Sequence, residues 1–432
     1  MAVEKPREIA VRILKQHAEG RDYVEILLET ALADASLSPA DRGLCQELVY
    51  GLVRWQATLD WLIVRKTGGR TQKPLLQILL RLGLYQMFWL DRIPNHAVVH
   101  EAVEIARRLG FGPQSGFVNA VLRGYLRERA ETEKLLEELK IKQPHLGSSH
   151  PEWLVERWHA RWGGARTTQL LEWNNTPPAT FARINTLRTD TAKLTAQWNS
   201  EGVRFLVRNW EWMGDGLVFQ LESHPPLASL ASFQQGWFYV QDPSTLLAVQ
   251  ELKTQPGETV LDLCAAPGGK TTLIAQQMKN QGHIVAADVS ADRLKLIQEN
   301  CARLGVTCVK TILLPNLNSQ PSTSYDRVLV DAPCSNTGVM RRRVDLRWRI
   351  RPEEIERLRK AQLELLRQAA PRLRPGGVLV YSTCSLEPEE NQNVVKQFLS
   401  EHAEFKLRSE RELLPFIDGV DGAYVARLER TP

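Results

Sequence analysis

Six cysteines are all that the 432-residue chain contains, and no two of them form a CxxC pair. That scatter speaks against a disulfide framework or a structural zinc site, so the thiols are expected to be free for chemistry in a reducing cytoplasm. Long apolar runs are also missing: none reaches the ~18 residues a membrane span needs, so no membrane association is expected. The N-terminal stretch MAVEKPREIAVRILKQ is charged from its fourth residue and reads as a helix of the mature protein, not a secretory signal. Charge of one sign is scarce overall, with a formal net of +5. Hydrophobic residues at 43% and charged ones at 24% suit a folded globular protein, and the length calls for more than one core.

The pattern along the chain predicts a multidomain protein. Residues 1–135 read as all-α, because VRILKQHAEG, YVEILLETALADA and LCQELVYGLVRW repeat apolar residues at spacings of three and four. Ser38-Pro39-Ala40-Asp41 supplies a cap, a first-turn proline and an acid, and LLQILLRLGLYQMFWL is the expected central buried helix. His96 and His100 stand four apart, but HEAVE lacks the second histidine of a zinc motif, so capping or packing is expected of them. Residues 136–240 are expected to form a linker and a small α+β domain, with strands at ATFARINTL, VRFLVRNWEWM and GLVFQLE. From 241 to 432, strands and helices alternate, predicting an α/β domain with a parallel sheet covered on both faces. Ligands of such sheets lie beyond the carboxyl ends of the strands, where Cys264, Asp331, Cys334 and Cys384 all fall.

DLCAAPGGKTT (262–272) ends like a phosphate loop, but Cys264 stands where that loop needs glycine, and Pro267 removes one N–H from the cradle. Gly268 and Gly269 permit close approach of a ligand, and Asp288 lies twenty residues after Gly268, a spacing suited to ribose hydroxyls. A cofactor with adenosine but no phosphate fits, and S-adenosylmethionine is such a molecule. The alternative role for Asp288 is to cap the helix opening near Ser290. RVLVDAPCSNTGVMRRR and VLVYSTCSLEPEEN each end an apolar strand in a cysteine. Methylating C5 of a pyrimidine calls for a thiolate that adds at C6, a proton donor at N3, and a group that assists elimination. Asp331, Cys334 and Cys384 supply those types, and residue chemistry does not rank the two thiols. The block RRRVDLRWRIR (341–351) carries six arginines against one aspartate. Directly after Cys334, it is expected to contact RNA phosphates, with a solvated helix face as the alternative.

CAAPGGK, DAPCSNTG and STCSLEPEEN together resemble the motifs of the Sun-type RNA cytosine-C5 methyltransferases, and RINTLR and GWFYVQDPST resemble that family's lead-in region. RGLCQELVYGLVRW, NHAVVHEAVEIAR and FVNAVLRGYLR are similar to the NusB-like RNA-binding domain. The resemblance implies an all-α NusB-like bundle, a small α+β linker domain and a C-terminal Rossmann-like methyltransferase domain. It implies S-adenosylmethionine as cofactor and 16S ribosomal RNA as the partner of a monomer. It makes Cys384 the nucleophile, Cys334 an aid to later steps, Asp331 a contact to the cytosine and Lys270 a neighbour of the reaction centre. Cys264, Ala265, Ala266, Pro267, Gly268, Gly269, Lys270, Asp288 and Asp331 would hold the cofactor. Two departures stand out. No acid occurs from Leu313 to Ser324, where the family places one near the adenine, which leaves Asn316, a backbone group or a looser grip. Asn336 replaces a glycine of the family loop and is expected to be tolerated, since asparagine adopts left-handed turns. A phosphate-loop NTPase and a non-catalytic NusB-like RNA-binding protein are the competing readings.

Overall fold

The computed structural model describes residues 5–213, 217–319 and 324–432. The chain divides into two compact units, Met1–Thr176 with Met340–Arg349, and Pro177–Val339 with Ile350–Pro432.

The first unit is helical. Its helices include Pro6–Glu19, Val24–Asp34, Pro39–Arg54, Gln56–Thr67, Pro74–Trp89, Asn95–Arg108 and Ser115–Arg127. Ser38 opens the third as expected, its hydroxyl accepting from the Asp41 N–H at 3.1 Å and donating to the Asp41 carboxylate at 2.7 Å. Pro74–Trp89 is the buried centre, with Leu79, Leu80, Leu82 and Leu84 fully enclosed. Gly51 lets a neighbouring helix close on it: a Cβ there would stand 2.1 Å from Tyr85 Cζ. The charged stretch after residue 128 is a helix, Arg129–Lys142, followed by Glu152–Asn175 with a break at Gly163. His96 and His100 are exposed on their helix rather than packed.

The arginine block departs from expectation. Met340–Arg349 is part of the helical unit, and Val344 joins its core. Arg347 is fully buried and donates to the carbonyls of Arg54 (3.3 Å), Ser149 (3.1 Å) and Asn174 (3.0 Å) and to Asn175 Oδ1 (2.9 Å). Burial, reinforced by the Arg54 charge, pulls its guanidinium down to about 9. Arg341 lies 3.8 Å over the Trp173 ring, Trp348 donates to Val53 O at 2.7 Å, and the buried Asp345 accepts from Val24 N and faces His17. Arg347 and Trp348 satisfy helix-end carbonyls, and Asp345 an N–H at a helix start. Arg347 and Arg341 are therefore neither phosphate contacts nor a solvated face, whereas Arg343 is exposed.

The second unit holds two sheets. The small one runs β2 (Arg204–Arg208), β3 (Val218–Ser223), β1 (Thr180–Ile184), β4 (Phe238–Val240), with every pairing antiparallel. Its α+β character matches expectation, and its core is Trp198, on the helix Thr191–Ser200, 5.2 Å from each of Phe205, Phe219 and Phe238. The large sheet contains β5 (Thr259–Leu263), β6 (His283–Asp288), β7 (Val309–Leu313), β8 (Tyr325–Asp331), β9 (Leu373–Thr383), β10 (Phe405–Leu413) and β11 (Ala423–Arg430). Their spatial order is β10-β11-β9-β8-β5-β6-β7. β5 to β9 pair in parallel as expected, while β10 and β11 extend the edge in antiparallel fashion. The helix Pro352–Ala369 stops short of Pro371, which cannot continue the ladder, and β9 starts at Leu373. The carboxyl ends of β5, β6, β8 and β9 present Leu263, Asp288, Asp331 and Thr383 at one edge.

Candidate active site

Parallel register brings the chemistry together. Asp331, the last residue of β8, pairs with Ser382 of β9. Two residues on, Cys384 turns back toward the β8 loop, and its sulfur lies 3.3 Å from that of Cys334. Asp331 accepts from Lys270 Nζ at 2.7 Å and from Ser382 Oγ at 3.1 Å. Burial draws the Lys270 ammonium down, but the charge and hydrogen bond of Asp331, with smaller contributions from Cys384 and Asp262, leave it above its ordinary value. Lys270 thus opens the glycine-loop helix Gly269–Gln277 and also touches the β8 end of the site.

The two thiols are not equivalent. Cys334 is buried, whereas Cys384 is partly exposed. The hydrogen bond with Cys384 pushes the Cys334 thiol well up, and burial and the charges of Cys384 and Glu390 add to it. Cys334 therefore keeps its proton, and Cys384 is the thiol open to a ligand. Cys264 is no rival: burial, then the charges of Asp331, Asp288 and Asp262, push it up to about 12.

Both cysteine loops hang on Glu390, which sequence reasoning left without a role. Its carboxylate accepts from Ser335 N (2.8 Å), Ser385 Oγ (2.5 Å), Gln362 Nε2 (3.0 Å) and the Ser335 hydroxyl. Asn391 adds a bond from Thr383 Oγ1 at 2.6 Å and one to Ser385 O at 2.8 Å. A serine after each cysteine, with a glutamate and an asparagine five and six residues beyond the second serine, was the available signal. The loops also touch through glycine: Gly338 N donates to Cys384 O at 2.9 Å, and a Cβ at Gly338 would lie 2.6 Å from Gly422 O. Asn336 takes the left-handed turn expected of it, with φ 57°.

At the other end, Ala265, Ala266, Pro267, Gly268 and Gly269 wrap from β5 into the helix. Gly268 has φ 99°, and a Cβ there would meet Ile297 at 3.3 Å. Asp288 is buried and ties this loop, accepting from Ala266 N at 3.1 Å and facing Arg293 at 3.2 Å. Ser290, not Asp288, is the cap of the next helix. Arg183, from β1, was also missed: it is buried and donates to Gly269 O at 2.9 Å, Gln241 Oε1 at 3.0 Å and Thr272 Oγ1 at 3.2 Å. Asp262 is fully buried on β5, and its Oδ1 has no hydrogen-bond partner among the described residues. Burial pushes its carboxyl up to about 7; Thr271 and Lys270 oppose this, and Asp331 and Asp288 add to it. A buried acid with one oxygen bonded to Thr271 Oγ1 at 2.6 Å and the other unpartnered, beside a glycine turn and the ribose-spaced Asp288, suits a cationic adenosine cofactor better than a triphosphate. Cys264, in the phosphate-loop glycine position, adds no phosphate donor. Asn316 is exposed after β7, and Gln320–Thr323 of the acid-free segment lies outside the described residues.

Three family models match the chain: NusB family over residues 4–127, the ferredoxin-like domain of RsmF/B-like methyltransferases over 150–223, and 16S rRNA methyltransferase RsmB/F over 249–429. The chain is 34% identical to the probable ribosomal RNA small subunit methyltransferase B of Bacillus subtilis (strain 168), across 98% of each chain. It is 38% identical to the protein of the same description from Synechocystis sp., over 93% of this chain and 90% of that one. A solved methyltransferase homolog protein from Pyrococcus horikoshii superposes with a TM-score of 0.59 at 29% identity, covering 69% of this chain and 99% of that one. With cysteine-bearing strand ends, a glycine-turn nucleoside loop and relatives spanning nearly its full length, the chain belongs to the ribosomal RNA small subunit methyltransferase B family.

Proposed function

We propose that the chain methylates C5 of a cytosine in 16S ribosomal RNA through a covalent bond between Cys384 Sγ and C6. The carrying observation is the pair of unlike thiols beside the Lys270–Asp331 ion pair. S-adenosylmethionine, held by residues 264–270 with Asp288 and Asp331, supplies an electrophilic methyl group when bound. Cys384 adds to C6 as the thiolate, and the ring takes up negative charge. Lys270 and Asp331 stabilise that charge by sharing the lysine proton with N3. C5, now enamine-like, acquires the methyl group. Bonding to C6 turns Cys384 into a thioether, and its charge and hydrogen bond no longer hold Cys334 up. Cys334 is then easier to ionise when the C5 proton must leave. Cys334, its own proton passed to solvent, takes the C5 proton; the C5–H electron pair re-forms the C5=C6 bond, expels Cys384 as the thiolate and restores the aromatic ring.

The proposed division is 1–135 for RNA binding, 136–240 as linker and small domain, and 241–432 for catalysis; the three matched segments fall within these limits. A monomer in the cytoplasm is the proposed setting. Free cysteines suit a reducing compartment, and among the described residues no helix is long and apolar enough to cross a membrane. A flexible RNA target suits the site, since the base must leave any stack to present C6. Incubation with labelled methyl donor and deproteinised 16S RNA, then nucleoside analysis, tests the proposal. Label in 5-methylcytidine is expected; label in another nucleoside, or none in RNA, overturns it.

A further inference from the structure

Asn336 does more than turn the chain. Its Nδ2 donates to Cys334 O at 2.6 Å, and its Oδ1 accepts from Cys384 Sγ at 3.0 Å. The first bond fixes the orientation of the amide, because a carbonyl oxygen only accepts. The nucleophilic sulfur therefore faces an amide oxygen that can bind it only while it carries its proton. A thiolate there would meet the negative end of a fixed dipole. A glycine could adopt the same turn, with φ 57°, without making this contact.

We propose that Asn336 is a positioning residue that latches the resting Cys384 as a thiol docked against Cys334 until the pyrimidine displaces it. The inference rests on Cys384 being the nucleophile. The other groups facing the site are Cys334 on the same loop, Lys270 from the helix after β5, and Asp331, paired to Lys270 at the end of β8. Glu390 sits behind the thiols, bonded to Ser335 and Ser385. Lys270 favours the Cys384 thiolate, and Asn336 opposes it. The latch thus keeps a partly exposed sulfur from reacting with stray electrophiles while the cation stands ready for the substrate.

The test is the rate of iodoacetamide alkylation across pH, resolved by mass spectrometry at Cys384 and Cys334, on the full chain without RNA or methyl donor. In Asn336→Gly, the half-maximal pH at Cys384 is expected to fall by about half to one unit, with about threefold to tenfold faster reaction at pH 7. Asn336→Asp keeps the shape, adds a charge beside the sulfur, and is expected to react more slowly than the parent. Identical pH dependence in Asn336→Gly and the parent overturns the proposal. So does equal acceleration at both cysteines without a pH shift, which marks a loosened loop, or an Asn336→Asp variant faster than the parent. Alkylation reads the contact whether or not Cys384 attacks cytosine. A wrong nucleophile would instead show as full turnover of Cys384→Ala.

Discussion

Asp331–Gly338 and Arg341–Arg349 are nearly consecutive and look equally reactive in sequence, one through a carboxylate and a thiol, the other through five guanidiniums. Their fates differ. The first gathers Lys270, Ser382 and Cys384 around its acid and its sulfur. The second sends Arg347 and Asp345 inward, where they bind backbone carbonyls and an N–H of the helical unit. A guanidinium's five donors satisfy helix ends as readily as phosphates, so composition alone does not separate the two uses. Thiols and carboxylates are separated by neighbours: Asp331 and Cys334 each have a partner whose chemistry completes a reaction.

The largest break in that comparison is expected at the thiol. Cys384→Ala should lower turnover on the order of 10³-fold or more, with cofactor binding intact by calorimetry. Glu390→Ala comes next. Losing the carboxylate that aligns Ser335 and Ser385 displaces both sulfurs, and a misplacement near 1 Å costs roughly 10²-fold in turnover. A kcat within twofold of the parent would remove Glu390 from the positioning frame.

Arg347→Met moves the test to the other stretch. Four acceptors lose their donor, so the helical unit should be destabilised by about 3–5 kcal/mol, read from its urea midpoint or from hydrogen exchange. The salt dependence of RNA affinity should not change. A slope reduced by about 1 would instead mean that Arg347 neutralises a phosphate.

Asp262→Asn sharpens the electrostatic side. An acid raised from 3.8 to about 7 binds more protons folded than unfolded across that window, so the fold loses stability as pH climbs through it. The amide lacks this penalty: the free protein should melt a few °C higher at pH 8, with no gain at pH 4. Equal midpoints at pH 8 would contradict a buried, unpaired charge. Arg343→Ala is the smallest change, an exposed arginine whose loss should weaken RNA affinity slightly and reduce the salt slope by at most about 1. A slope falling by 2 or more would restore the whole block to the RNA interface.

Much of the fold was legible because period and punctuation agree. The 3.6-residue repeat of Pro74–Trp89, the cap at Ser38 and the runs before Asp331 and Cys384 each specify one element. β10 passed unread because FKLRSEREL is exposed along most of its length and shows no apolar alternation. At the site, the strand-end residues were readable because parallel topology sends them to one edge. Glu390 and Arg183 were not, since their partners are backbone groups and hydroxyls of segments far away in sequence. The unlike character of the two thiols depends on burial and a 3.3 Å contact, which no spacing encodes.

The central claim is that sulfur 384, not 334, bonds the base. Cys334→Ala, incubated with 16S RNA and the methyl donor, should stall after methylation and leave RNA attached to protein through denaturing electrophoresis. Digestion and mass spectrometry should place a methylated cytidine on Cys384. An adduct on any other residue, or undiminished turnover of Cys384→Ala in the same assay, would contradict it.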